Sequence, residues 1–296
     1  MASTDAERIK AELIADKNTP ELGLEESRKE WLENAANDPV PEGTKVEPVE
    51  LAGVSAEWVQ HPDSPGKGVF LFIHGGGYRA GGCITHRNLA ARLSGASGTR
   101  VLVPDYRLAP EHPFPAALED VSAVYGALLR NMMSPSQISI GGDSAGGGLA
   151  ATLLLALRDA KGPLPSSAVF LSPWTDLTLS GESYETRREF DPSITREGLQ
   201  EAAAQYAGTA DPAHPLLSPI KADLTDFPPM LVHVGDHEAM LDDSLVFAER
   251  AKQAGVETEI EVWPDMWHVW HQWAPDLPEA EEAIEKIGVF IKAHFS

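Results

Sequence analysis

This 296-residue sequence predicts an α/β fold with a mostly parallel sheet and helices on both faces. Three observations carry that expectation. Short apolar runs alternate with amphipathic segments of helical length along most of the chain. A glycine-rich run, "HGGGY" at 74–78, directly follows one apolar run. A second apolar run, "QISIGG", turns within two residues into "AGGGLAATLLLALRD", a helical pattern.

The elements follow in order. The first 45 or so residues are helical in pattern and broken by Pro20, Pro39 and Pro41. "KVEPVELAG" and "SAEWVQH" read as two edge strands joined by a tight turn, and "GVFLFIH" as a buried strand. "THRNLAARLSGAS" has apolar residues at helical spacing. "TRVLVPDY" is strand-like, and "PAALEDVSAVYGALLR" is a helix opened by proline. "SAVFLSP", "PMLVHVG" and "ETEIEVW" are further strands, separated by helices near 244–254 and 279–294. The stretch 177–225 breaks this rhythm. It is polar, carries Pro192, Pro212, Pro215 and Pro219, holds one helical pattern near 196–207, and reads as an insertion beyond the sheet.

Composition narrows the function classes. Hydrophobic residues make up 43%, with seven Trp, which is globular. Cys83 is the lone cysteine, so no internal disulfide forms, which fits a reducing compartment. "MASTDAERIKAELIADK" is a polar helical pattern rather than a charged, apolar leader, and no apolar run approaches bilayer length. A cytoplasmic protein is the expectation. The formal charge of −22 argues against nucleic acid and against an anionic membrane surface. No internal repeat is present, and no His/Cys group has zinc spacing, so neither metal nor organic cofactor is expected.

Gly142-Asp143-Ser144-Ala145-Gly146 matches G-x-S-x-G. Its context, a strand before and a helix after, points to a nucleophile elbow, with a serine N-cap on an ordinary helix as the alternative reading. A serine attacking an ester creates an oxyanion, which backbone N–H groups stabilise. Ala145, after the serine, supplies one donor. The others require a loop without side chains lying against the reacting carbonyl, and the HGGG run supplies it, through Gly76 and Gly77. No G-K-[ST] and no G-x-G-x-x-G follows, so a phosphate cradle is not expected.

"HGGGY", "PDYRLAPEHPFPAALED", "GGDSAGGGLA" and "VWPDMWH" together resemble the bacterial hormone-sensitive-lipase-like esterases of the α/β-hydrolase superfamily, from about residue 68 to the end. The resemblance implies a carboxylesterase of short acyl esters. It also implies a single domain over 1–296 with an eight-stranded sheet, and a cap from about 1–45 and 177–225. It implies that His74 braces the glycine loop and that a homodimer is an open option. Arg107 and Glu111 are expected to pair and pin the "YRLAPE" loop.

A triad needs an acid and a histidine, after the serine in chain order. His268 follows the strand "ETEIEVW" by a short loop and falls in the family's histidine segment. His271 is the runner-up, and His233 reads as core. The acid lies in "LVHVGDHEAMLDDS". Relatives place it three residues after the small residue ending the strand and four before a later Asp. Glu238 fits both, from Gly235 and to Asp242; Asp236 is the alternative. A small-molecule ester is the expected partner, with Trp31 and Trp174 as bulky residues available to line its pocket. A lactonase, an amidase and an acyltransferase would use the same groups. A non-catalytic receptor of the fold would need a broken triad.

Overall fold

A computed structural model describes residues 2–17 and 22–295, so Pro20 lies outside the described residues. The centre of the sheet is built from strands that are buried on both faces. In β3 (Val69–Ile73) all five residues are buried. Val69, Leu71 and Ile73 enter one core, while Phe70 and Phe72 enter the other. This alternation is the two-residue period of a strand expressed with apolar residues on both sides. The same division holds in β6 (Ser167–Leu171) and β7 (Met230–Gly235): Phe170 and Val232 face one way, Val169 and Leu231 the other.

Eight strands form one sheet, as the family resemblance implied. The others are β1 (Lys45–Leu51), β2 (Val54–Gln60), β4 (Arg100–Pro104), β5 (Ile138–Asp143) and β8 (Thr258–Trp263). Their order is β1-β2-β4-β3-β5-β6-β7-β8. The β1–β2 hairpin is antiparallel and β2 meets β4 antiparallel; every other pairing is parallel. The carboxyl ends of β3 to β8 therefore share one edge.

Helices cover both faces. They are α1 (Thr4–Lys17), α2 (Leu24–Ala36), α3 (Cys83–Ser97), α4 (Ala116–Arg130), α5 (Ala145–Asp159), α6 (Ser183–Thr186), α7 (Arg196–Ala207), α8 (Leu241–Gln253) and α9 (Pro278–His294). α4, α5 and α8 fill one core, with Val121, Leu153 and Phe247 among the contacts. α3 and α9 fill the other, with Leu93, Ile284 and Ile287, and α1 adds Ile9. Helix ends carry their expected signals. Pro115 stands at the N-cap of α4, Gly98 ends α3 with a left-handed φ of 72°, and Thr195 Oγ caps α7. α3 begins two residues earlier than its periodicity suggests, at Cys83, because Asp105 Oδ1 accepts the Cys83 N–H at 2.6 Å.

The expected Arg107–Glu111 pair does not form. Arg107 turns to α4, bonding Asp120 at 2.8 Å and Glu119 at 2.9 Å, and its own N–H also meets Asp120. Glu111 instead receives Arg28 of α2. The carboxylates of α4 lie directly under the loop, and no local pattern shows that. Trp174 is also not a pocket wall: it is fully buried, with its indole N–H on Asp176 O at 3.2 Å.

Phe247 sits edge-on to Phe170 at 5.3 Å in the α8 face of the core. Phe247→Ala should therefore cost about 3–5 kcal/mol in urea unfolding. A loss below about 1 kcal/mol would mean that the site collapses around the cavity.

Candidate active site

Ser144 joins β5 to α5 with φ 52° and ψ −123°, a conformation costing a non-glycine residue roughly 1–3 kcal/mol. The flanking glycines make it possible. A Cβ on Gly142 would lie 2.3 Å from Ile73 O, and one on Gly146 would lie 2.0 Å from the same oxygen. The end of β3 thus runs hard against the turn, and the G-x-S-x-G spacing answers that approach. Ser144 N–H donates to Leu171 O at 2.9 Å, and Ser144 O accepts from Trp174 N at 2.9 Å. The residue is 8% exposed at the carboxyl edge of the sheet.

The glycine run lies beside it. Gly75 N–H donates to Asp143 Oδ1 at 3.0 Å. Asp143, next to the serine, is buried and pairs with His86 Nε2 at 3.2 Å. Burial opposes its charge, but His86, His74 and the Gly75 N–H outweigh it and hold the carboxyl below its ordinary value. His74 stacks on Tyr106 with ring centres 4.2 Å apart and donates Nδ1–H to Gly75 O at 2.8 Å. Burial and His86 lower its pKa to about 4, so it stays neutral. Gly76 has φ 114°, and a Cβ there would lie 2.2 Å from Ala80 O. Gly76 O accepts from Arg79 N at 3.1 Å and Ala80 N at 2.9 Å, closing the turn. Among the described residues, the N–H groups of Gly76, Gly77 and Ala145 have no protein acceptor.

Glu238 and His268 meet on the same edge, from the loops after β7 and β8. Glu238 is fully buried. His268 Nδ1–H donates to its Oε2 at 3.0 Å. Its Oε1 accepts from Ser172 Oγ at 2.7 Å and Gly235 N at 2.6 Å. Ser172 Oγ in turn accepts Val269 N–H at 3.2 Å, so one hydroxyl ties the acid to the residue after the histidine. Burial pushes Glu238 above the ordinary carboxyl value, against the pull of His268, Gly235 and Ser172. Burial also opposes the His268 imidazolium, but the hydrogen bond and charge of Glu238, with Asp191 and Asp143, raise its pKa overall. With Nδ1 so engaged, Nε2 is the nitrogen left for a proton from elsewhere.

Asp236 bonds the loop after β8 at a different residue. Its Oδ1 accepts Asp265 N–H at 2.7 Å, linking the two loops as a brace. Asp242 accepts Ser183 N–H at 2.8 Å, and buried Asp243 takes Thr175 N, Asp176 N and Tyr184 OH. Burial raises Asp243 to about 7. His271 faces His233 at 3.2 Å, both fully buried; burial holds His233 near 3 and His271 well below an ordinary histidine. Sequence reasoning passed over Asp143, His86 and Ser172. An acid directly before the serine, at a strand end, was a signal for Asp143; Ser172 offered none. Among the described residues no group of three or more His, Cys, Asp and Glu is placed to hold a metal ion. No described helix is long and apolar enough to cross a membrane.

The family model described as alpha/beta hydrolase fold matches residues 70–272. An acetyl-hydrolase from Streptomyces hygroscopicus is 40% identical over 244 residues, 82% of this chain and 81% of that protein. Crystal structures align over nearly the whole chain. An esterase from the bacterial hormone-sensitive lipase family superposes with TM-score 0.96 at 42% identity, covering 100% of both chains. The esterase EstE5, soaked with p-nitrophenyl butyrate, gives 0.95 at 42%, covering 99% of both.

The electrostatics can be read directly on His268. Its imidazole should titrate above the ordinary value of about 6.5 in NMR spectra. Glu238→Gln removes the negative partner and should lower that pKa, while Asp236→Asn should leave it within about 0.3 of wild type. A larger shift from Asp236→Asn would reverse the assignment of His268's partner.

Proposed function

Because the chain belongs to the hormone-sensitive-lipase-like esterases of the alpha/beta hydrolase superfamily and is a carboxylesterase, we propose that it hydrolyses short-chain acyl esters through Ser144, His268 and Glu238, with Gly76, Gly77 and Ala145 as the oxyanion hole. The observation that supports this most is the buried 3.0 Å contact of Glu238 with His268 on the sheet edge that carries Ser144 in its strained turn. Gly75 is left out of the donor set because Asp143 already takes its N–H.

In this reading His268 accepts the Ser144 Oγ proton through Nε2 as Oγ attacks the ester carbonyl. The carbonyl oxygen becomes an oxyanion and accepts the three N–H groups, helped by the N-terminus of α5. His268 then gives its proton to the leaving alkoxide, the C–O bond breaks and the acyl group stays on Ser144. Water, losing a proton to His268, attacks the acyl carbon; the acid leaves and Ser144 recovers its proton. Glu238 keeps the imidazole in the Nδ1–H tautomer and stabilises its cation.

In this reading the described residues of the segments 1–45 and 177–225 form the cap over this edge. Trp31 of α2, which is only partly buried, would lie 3.1 Å from a Cβ on Gly76. Such bulk beside the glycine turn favours a small acyl group. An acetyl-hydrolase among the relatives and a butyrate ester soaked into a structural neighbour point the same way.

Two measurements test the reading. Ser144→Ala should lose on the order of 10⁶ in kcat, and Glu238→Gln about 10⁴, with Asp236→Asn within roughly tenfold of wild type. The kcat/KM profile should rise with pH through a pKa above about 6.5, because only neutral His268 accepts the proton. Full activity in Ser144→Ala would remove the nucleophile assignment. Across p-nitrophenyl esters from acetyl to palmitoyl, kcat/KM should peak at or below butyrate; a maximum at palmitate would overturn the short-chain reading.

A further inference from the structure

Helix α2 has no fully buried residue. Thirteen residues are too few to hold a helix in water without docking contacts. Two side chains of α2, Arg28 and Trp31, reach the glycine turn; they stand three apart and so share a face. Trp31 meets His86 edge-on at 5.9 Å. Arg28 does more. Its Nε–H donates to Arg79 O at 2.6 Å and its Nη2 to Ala109 O at 2.7 Å. It also grips Glu111 through both carboxylate oxygens, at 2.7 and 2.9 Å.

Arg79 O is not an arbitrary carbonyl. It shares a planar peptide with Ala80 N–H, which donates to Gly76 O at 2.9 Å. Gly76 O shares the next peptide plane with Gly77 N–H. The run is therefore continuous: Arg28 Nε–H to Arg79 O, Ala80 N–H to Gly76 O, and then Gly77 N–H, a proposed oxyanion donor. A cation at the head of such a chain polarises each peptide in turn, and each hydrogen bond strengthens the next. The same bonds fix the tilt of the Gly76–Gly77 peptide. Ala109 N–H to Tyr78 O at 2.9 Å, with Arg28 on Ala109 O, ties the turn to the loop at 107–111.

Resting on the oxyanion-hole reading above, we propose that Arg28 is a positioning residue for catalysis, which orients and polarises the Gly77 N–H through two hydrogen-bonded peptide planes. The N-terminal helix is then part of the machinery that stabilises the oxyanion as well as a cover for substrate. Docking of α2 and assembly of the hole are one event.

The test compares Arg28→Ala, Arg28→Lys and Glu111→Gln, each with its melting temperature recorded. Arg28→Ala should lower kcat about 10- to 100-fold with KM within about threefold, since the loss falls on the transition state. Affinity for a short alkyl trifluoromethyl ketone, which forms an oxyanion adduct with a serine nucleophile, should fall by the same factor. Arg28→Lys keeps the charge but not the fork and should lose about tenfold. It also serves as the readout where the alanine variant is unstable. Glu111→Gln leaves both carbonyl bonds in place and should lose at most about threefold, because the Glu111 side chain is 52% exposed. A raised KM with unchanged kcat and ketone affinity in Arg28→Ala would overturn the proposal and leave α2 as a cover. Equal losses in Glu111→Gln and Arg28→Ala would also overturn it. Ser144→Ala separates the two levels. An active Ser144→Ala sinks the site reading itself, whereas an inactive one beside a normal Arg28→Ala sinks only the role of Arg28.

Discussion

The close approach of the end of β3 to the turn after β5 is the constraint on which the site depends. Ile73 O and His74 O fill the space where side chains at Gly142 and Gly146 would stand. That close approach is open only to glycine on either side of Ser144, and it brings the glycine run beside the serine turn. Asp143 completes the joint, since its carboxylate takes Gly75 N–H across the two segments. Parallel pairing of β3 with β5 holds them in register, with Ile73 opposite Gly142. The sheet therefore does the positioning, and the loops need little freedom of their own.

The other half of the site is assembled one to three strands away from β5 by hydrogen bonds between loops. Ser172, after β6, joins Glu238, after β7, to Val269, after β8. Asp236 adds a second tie to Asp265. A buried acid–histidine pair is costly to desolvate, and truncating one partner leaves the other's charge stranded. Here every oxygen of Glu238 has a donor, so the pair keeps one geometry. The buried His233–His271 pair behind it is held in the neutral form by the same burial, and brings no competing charge near His268.

The segments outside the sheet grip the same loops. Asp191, in the insertion, accepts Ala239 N–H at 2.8 Å, one residue past Glu238, and Ser183 Oγ donates to Ala239 O at 2.7 Å. Phe190 stacks on His237, which also contacts Lys10 of α1. On the opposite side, Arg28 and Tyr206 hold the glycine turn. These outer segments are thus bonded to the backbone beside both Glu238 and the glycine turn, through Ala239 and Arg79.

Fold class, strands, most helix bounds and the glycine pattern around Ser144 were legible in the sequence. Those features are local: a strand buried on both faces reads as an apolar run, and a close backbone approach reads as glycine. Register from Gly235 and to Asp242 pointed to Glu238, with Asp236 two positions earlier as the alternative. Which carboxylate meets His268 became legible only in three dimensions, where Glu238 takes the His268 Nδ1–H and Asp236 takes Asp265 N–H. The same holds for Arg28, which lies 51 residues from its carbonyl partner Arg79 and 83 from Glu111. Ser172 binds residues 66 and 97 positions away. No periodicity encodes such contacts. They exist because strands distant in sequence end on one edge of a sheet, where charged and polar groups must find partners out of water.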